Sequence, residues 1–299
     1  MEHGVQEKEH LSRKKKVLVS ITYNSIPNFA NILEALKTID YAVIVDNGSS
    51  EVVINDLEKY CTGSERIYLI KNGENLGISK AYNMAIEFSK KLEAYWLFFF
   101  DSDANYSQSY FEEMMKCWME NSKNGVKIGI VSPIIGDDPK LIGIQWKEGV
   151  SFVSSVITSG IMTNAYVFED VEGYDENYFL ELADFAFSKR VIEKGYSIIR
   201  LNKILISQTF GITMNENYPL IHAFNLISSI SSRIKLRRNS SNVYRTKYPV
   251  YGDIRLNQYY ENYGKLTGSN RSSALQSKLY LFILKRINNY LKRKINETR

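Results

Sequence analysis

The chain has 299 residues, room for one large domain or two of ordinary size, and its 44% apolar and 13% aromatic content excludes global disorder. Two cysteines, Cys61 and Cys117, make neither a disulfide framework nor a metal-ligand spacing, which points to a reducing compartment. The net charge of +5 hides an asymmetry: Arg233 to Arg299 holds 16 Lys/Arg against 3 Asp/Glu, whereas the rest of the chain is acidic overall, so front and back have different tasks.

Residues 1–16 are polar and charged, lack the apolar core of a signal peptide, and read as a flexible basic tail. No apolar run reaches the ~20 residues of a membrane span. Val17 to Tyr23 is a β-branched strand followed by a loop at 24–28, and Phe29, Ile32, Leu33 and Leu36 follow at helical spacing. Tyr41 to Val45 predicts a second strand, ending in Asp46-Asn47-Gly48-Ser49-Ser50. A helix over about 52–60, a strand over 66–70, a loop over 72–78 and a helix over 79–91 come next.

Tyr95 to Phe100 is apolar without alternation and stops at Asp101-Ser102-Asp103. Such a run suits a strand covered by helices on both faces, and ligands of open α/β sheets collect beyond the carboxyl ends of such strands. Two readings fit the acids: oxygen ligands for a hard divalent cation, or caps of a following helix. Strands alternating with helices at these lengths predict a mostly parallel, Rossmann-like sheet flanked by helices. The loops at 22–25, 46–50, 72–80 and 101–103 then share one cleft.

The second half is less regular. A strand is expected over 127–135, a pair formed by 141–146 and 151–157, a turn at Thr158-Ser159-Gly160, and a strand over 161–167. Tyr178 to Asp184 leads into a helix stopped at Gly195, and 197–206 supplies a last strand. These divisions give an α/β domain over 17–215 and a helical, basic C-terminal region over 216–299. Its last segment, 277–295, has an apolar face and a Lys/Arg face, which fits equally a helix lying on an anionic membrane and one docked on its own domain. His222, a lone histidine between apolar neighbours, reads as a packed or surface residue rather than a ligand.

The motifs T-Y-N-S (22–25), V-D-N-G-S (45–49), N-L-G-I-S-K-A-Y-N (75–83), F-D-S-D (100–103), T-S-G (158–160), G-Y-D-E-N-Y-F (173–179) and L-A-D-F-A-F-S-K-R (182–190) stand in one order over about 17–211. In that order the chain resembles family 2 glycosyltransferases of the GT-A fold, and within them the bacterial rhamnosyltransferase-like branch that builds surface polysaccharides. The resemblance implies an inverting, metal-dependent transferase. Asp46 would accept the N3–H of a uracil or thymine ring, although D-N-G-S is equally good as a plain turn. Thr22 and Tyr23 would line the nucleotide pocket, and Asn75, Gly77, Lys80, Asn83 and Ser102 would frame the nucleotide and diphosphate. Asp103 would coordinate Mg²⁺ or Mn²⁺ directly, and Asp101 would reach the ribose or support the metal.

Asp184 would be the general base, six residues before Arg190 as in the family, with Glu181 a competing base. Two departures stand out: Ala186 replaces a second acid, and Gln208 replaces a histidine that often helps hold the metal. Ser159 belongs to the same candidate set. The implied donor is dTDP-rhamnose first and a UDP-linked galactofuranose, galactose or N-acetylhexosamine second. The implied acceptor is a glycan on a polyprenyl diphosphate lipid at the cytoplasmic membrane face, where the basic C-terminal helix would hold the enzyme peripherally. The absence of Q-x-x-R-W argues against a processive synthase. A binding module that has lost catalysis is the alternative of another class. A nucleic-acid patch in the basic tail has no reading motif and is opposed by the acidic front.

Overall fold

A computed structural model describes residues 11, 13–122, 126–136, 139–180 and 182–208. Glu181, His222 and the C-terminal region 216–299 lie outside the described residues.

The first half alternates as expected: β1 (Lys16–Thr22), α1 (Phe29–Ala35), β2 (Tyr41–Asp46), α2 (Glu51–Cys61), β3 (Ile67–Lys71), α3 (Ile78–Lys91) and β4 (Trp96–Asp101). There follow β5 (Asn105–Tyr106), α4 (Tyr110–Asn121), β6 (Ile128–Gly136), β7 (Gln145–Phe152), β8 (Met162–Asn164), α5 (Ala165–Asp170), α6 (Ala183–Glu193) and β9 (Ser197–Ser207). All nine strands join one sheet in the order β3-β2-β1-β4-β8-β6-β9-β5, with β7 also paired to β9. β1 to β4 run parallel, as do β6 and β9, whereas β5, β7 and β8 run antiparallel to their neighbours.

The unbroken apolar run of β4 has the cause inferred for it. Trp96, Phe98 and Phe100 pack on one face with Phe29 and Ile32 of α1 and Tyr110, Phe111 and Met114 of α4. Leu97 and Phe99 pack on the other with Ala81, Tyr82 and Ala85 of α3 and Phe187 of α6. Phe98 and Phe99 are fully buried, and burying a side chain of this size is worth about 1.5–3 kcal/mol.

Three expectations are corrected. α4 was not anticipated, yet Tyr110, Phe111, Met114, Met115 and Cys117 form its buried stripe at helical spacing. The expected pairing of 141–146 with 151–157 does not form; one strand, β7, lies antiparallel on the β9 edge, which offers it an unpaired row of main-chain groups. The strand expected over 161–167 ends at Asn164, whose side chain caps the Val167 amide at 3.2 Å and starts α5. Two described residues before β1 touch the body: the Leu11 carbonyl accepts from the Trp96 indole at 3.0 Å, and Lys15 pairs with Glu93 at 2.8 Å.

Candidate active site

Parallel pairing places Thr22, Asp46, Lys71 and Asp101 at one sheet edge, with Thr22 beside Asp46 and Ile21 beside Asp101 in register. Side chains then lace the loops together. Thr22 Oγ1 donates to the Ser25 carbonyl, and Ser25 Oγ lies 2.7 Å from Ser102 Oγ in the D-S-D loop. Asn24 N donates to Ser49 Oγ at 2.8 Å, and Ser50 N donates to Asn24 Oδ1 at 3.0 Å. Tyr23, between these anchors, is exposed.

Asp46 is fully buried at the end of β2. Its Oδ2 accepts from the Gly48 and Ser49 amides at 3.2 and 3.1 Å, which is the turn role. Its Oδ1 is buried and has no hydrogen-bond partner among the described residues. A buried carboxylate oxygen left without a donor is costly, and an imide N–H is one group that would supply the missing donor. The turn and base-binding readings therefore use different oxygens of one side chain.

The 72–83 segment is held by Asn47. Its Oδ1 accepts from Asn72 Nδ2 at 3.0 Å and Leu76 N at 3.1 Å, while its Nδ2 donates to Asn75 Oδ1 at 3.0 Å. Gly48 and Gly77 both take φ +86°. A Cβ on Gly48 would stand 2.3 Å from the Glu74 carbonyl carbon, and one on Gly77 would stand 2.7 Å from Phe179 O. The close backbone approach that Gly77 permits is thus to the 173–180 segment, where Phe179 O accepts from Ile78 N at 2.6 Å. Asn83 brackets the same segment, accepting from Tyr174 N at 2.8 Å and donating to Tyr174 O at 2.9 Å. Lys80 is exposed, with no ion pair among the described residues.

Asp101 ends β4 within a ring of donors. Its Oδ2 accepts from Gln208 Nε2 at 2.6 Å, its Oδ1 from the Tyr82 hydroxyl at 3.4 Å, and its amide donates to Ser159 Oγ at 3.2 Å. Burial raises the Asp101 carboxyl, while the bonds from Gln208 and Tyr82 pull it down. Asp103 is pushed up to about 6, by burial first and the charge of Asp101 second. Asp103 is solvent-exposed, so screening moderates this. Gln208 Oε1 is buried and has no hydrogen-bond partner among the described residues.

Two carboxylates and an unsatisfied amide oxygen make an all-oxygen donor set, the chemistry hard divalent cations prefer. Among the described residues no group of three or more His, Cys, Asp or Glu side chains gathers as a metal site, so an acid pair with Gln208 is the set that fits a cation here.

Asp184 stands in the first turn of α6. Its Oδ1 accepts from Thr158 Oγ1 at 2.6 Å, and Thr158 Oγ1 lies 3.0 Å from the Tyr174 hydroxyl. Leu182, the residue preceding α6, takes the left-handed conformation at φ +67°, a strained backbone that aims the helix start. Arg190 Nη1 donates to Gly173 O at 3.0 Å, so this Arg braces the turn before Tyr174. Ala186 is buried against Tyr178 and Ala183, a place where an acid would be desolvated.

A stacked tyrosine pair links the two halves of the site. Tyr82 and Tyr174 have ring centroids 5.0 Å apart. Burial raises both phenols, and the charges of Asp101 and Asp184 raise both further, so the two carboxylates flank one aromatic pair. The sequence reading passed over Thr158, Tyr82, Tyr174, Asn47 and Ser25. All five lie inside quoted motifs, so the motifs carried the signal without saying which side chain does the holding.

The model of "Glycosyl transferase family 2" matches residues 17–166. The dTDP-rhamnosyl transferase RfbF of Shigella flexneri is 30% identical over 211 residues, covering 64% of this chain and 68% of that protein. Among solved structures, the mannosyltransferase PcManGT of Pyrobaculum calidifontis, in complex with GDP-Man and Mn²⁺, superposes with TM-score 0.54 at 14% identity, over 91% of this chain and 81% of its own. GalNAc-T7, solved with UDP, GalNAc and Mn²⁺, superposes with TM-score 0.53 at 12% identity over 65% of this chain, which spans 44% of that longer protein. These likenesses establish the GT-A fold.

Proposed function

The chain belongs to glycosyl transferase family 2, and from that premise we propose that it is an inverting, metal-assisted transferase whose donor is dTDP-rhamnose and whose acceptor is a hydroxyl of a lipid-linked glycan. The observation that carries this reading is that Asp46 and Asp101 share one sheet edge while Asp101 and Asp184 flank one tyrosine pair, three acids from three distant motifs. The RfbF likeness supports the choice of donor. Asp46 Oδ1 would accept the ring N3–H, which thymine and uracil share. A UDP-linked galactofuranose, galactose or N-acetylhexosamine is therefore the second reading.

In this scheme the acceptor oxygen attacks the anomeric carbon on the face opposite the diphosphate. The carbon–oxygen bond to the diphosphate breaks, and its electron pair leaves on the nucleoside diphosphate. Asp184 takes the acceptor proton. Asp103 and Asp101, with Gln208, would hold Mg²⁺ or Mn²⁺, which when bound stabilises the charge growing on the diphosphate as a Lewis acid. The Mn²⁺ in the two solved relatives supports a divalent ion without choosing between the two metals.

No helix among the described residues is long and apolar enough to cross a membrane. The acceptor lipid, the peripheral association through 277–295 and the cytoplasmic face belong to this proposal on sequence grounds alone.

The test is a donor screen by mass spectrometry with dTDP-rhamnose and the UDP-sugars, with Mn²⁺, Mg²⁺ or chelator. Release of dTDP from dTDP-rhamnose alone, abolished by chelation, supports the reading. Release from no donor makes the chain a sugar-nucleotide or glycan-binding module. Truncation near Gly268 should weaken binding to vesicles of anionic lipid while leaving donor affinity unchanged; an equal loss of both would make the C-terminal region structural.

A further inference from the structure

We propose that Thr158 is the positioning residue for Asp184, backed by Tyr174, so that the T-S-G turn sets the base against the metal-binding acid. The proposal rests on the reading of Asp184 as the general base.

The geometry fixes the direction of each hydrogen bond. A carboxylate oxygen only accepts, so the single hydroxyl proton of Thr158 goes to Asp184 Oδ1 at 2.6 Å. Thr158 Oγ1 then has only lone pairs for Tyr174, whose hydroxyl must donate across 3.0 Å. The result is a one-way chain, Tyr174 to Thr158 to Asp184, ending on a charged acceptor, the stronger kind of bond. Thr158 and Tyr174 are 3% and 2% exposed, so water does not compete for either hydroxyl.

The chain is also stiff. The Tyr174 ring is stacked between Tyr82 at 5.0 Å and Phe187 at 4.3 Å, and Phe187 sits one turn beyond Asp184 on α6. Gly160 takes φ +78° and leaves no space for a Cβ, which would meet Ile206 Cδ1 at 2.2 Å. Gly160 is pinned as well through its amide to Phe99 O at 2.6 Å and its carbonyl from Tyr110 at 3.0 Å. On this rigid turn Thr158 holds Asp184 while its neighbour Ser159 holds the Asp101 amide at 3.2 Å. Two consecutive residues therefore hold the carboxylate of Asp184 and the main chain of Asp101. Tying one oxygen of Asp184 fixes where the other points, and a base must point at the proton it removes.

The experiment follows nucleotide release, with water as acceptor, from dTDP-rhamnose or UDP-galactose, whichever the wild-type chain hydrolyses. Thr158→Val keeps shape and removes the hydroxyl; kcat should fall about 10–100-fold while donor KM stays within about threefold. Thr158→Ser restores the hydroxyl and should return kcat to within about threefold of wild type. Wild-type kcat in Thr158→Val, or no recovery in Thr158→Ser, overturns the proposal. Should Thr158→Val not fold, Tyr174→Phe carries the test, because it keeps the ring stack and removes only the donor behind Thr158; unchanged kcat there overturns it. Asp184→Asn separates this from the parent reading. If that variant is as active as wild type, the base assignment fails; if it is inactive while Thr158→Val is normal, only the positioning role fails. No release from either donor by the wild-type chain overturns both.

Discussion

Gln208 Nε2 donates to Asp101 Oδ2 at 2.6 Å, joining residues 107 apart in sequence and leaving Gln208 Oε1 buried without a partner among the described residues. The bond fixes which end of the amide is oxygen, and that oxygen is the one a hard cation would use. Gln208→Ala should weaken Mn²⁺ binding about tenfold, in the range measured when a supporting partner of a metal site is lost. Gln208→His should retain Mn²⁺ and gain affinity for softer ions such as Zn²⁺, because imidazole suits them better than an amide oxygen. Paramagnetic-resonance titration of Mn²⁺ reads both, and equal affinity in all three proteins refutes a role for Gln208 at the metal.

Asp103 gives a pH signature. Its carboxyl is pushed up to about 6 in the fold, from an ordinary value of 3.8. The folded chain therefore binds this proton more tightly than the unfolded chain, and its stability falls as pH rises between those two values. Below that window both states are protonated and the carboxyl costs nothing. A divalent cation needs the ionised form, so Mn²⁺ should raise Tm more at pH 7.5 than at pH 5. An equal rise at both would place the ion elsewhere.

Asp103→Ala and Asp184→Asn should each lower turnover by orders of magnitude, through different steps. The first removes a charge from the diphosphate site and should also abolish the Mn²⁺ response. The second keeps size and hydrogen bonding but not basicity, so donor affinity should survive. Steady-state kinetics with dTDP calorimetry distinguishes them, and near-normal turnover in either variant refutes its assigned role.

The fold of the first half was legible because β4 declares itself: an apolar run without alternation needs cover on both faces, and alternating helices and strands make β1 to β4 parallel, although β4 pairs antiparallel with β8 on its other side. The acids after it then had to lie at the ligand edge. What stayed hidden has physical reasons. α4 carries its stripe in Met, Tyr and Cys among charged residues, a pattern weaker than a Leu/Ile helix. β7 is nearly all exposed, so no hydrophobic alternation marks its register, and its partner is chosen by the open edge of β9. Thr158 and Tyr174 were unreadable as a pair because their hydrogen bond spans β8 and α5, with turns at Gly160 and Gly173 on either side. Asp46 was ambiguous because a sequence cannot show that one oxygen holds the turn while the other is left without a donor.

Asp46→Asn tests that division. The amide oxygen can keep the Gly48 and Ser49 bonds, which places the NH₂ where Oδ1 stood. A donor then faces the ring N3–H, and donor affinity should fall by about 1.5–3 kcal/mol, the usual worth of a hydrogen bond to a charged group. The turn survives, so Tm should change little. Unaltered dTDP affinity by calorimetry would return Asp46 to a purely structural role.

Gly48 and Gly73 form a matched pair for testing the loop contact beneath the nucleotide site. Both hold positive φ, +86° and +74°, so alanine at either carries the left-handed penalty of about 1–2 kcal/mol. At Gly73 nothing lies within 4 Å of an added Cβ, and the penalty stops there. At Gly48 the Cβ would stand 2.3 Å from the Glu74 carbonyl carbon and 2.6 Å from Asn75 N, backbone atoms that cannot swing aside. The loops must part, adding about 1–3 kcal/mol as overpacking does. Asn47 and Asp46 lie in that same contact, so Gly48→Ala should lower both Tm and dTDP affinity, while Gly73→Ala should lower Tm slightly and leave affinity intact. If both variants bind dTDP alike, the 46–50 and 72–77 loops do not act together on the nucleotide.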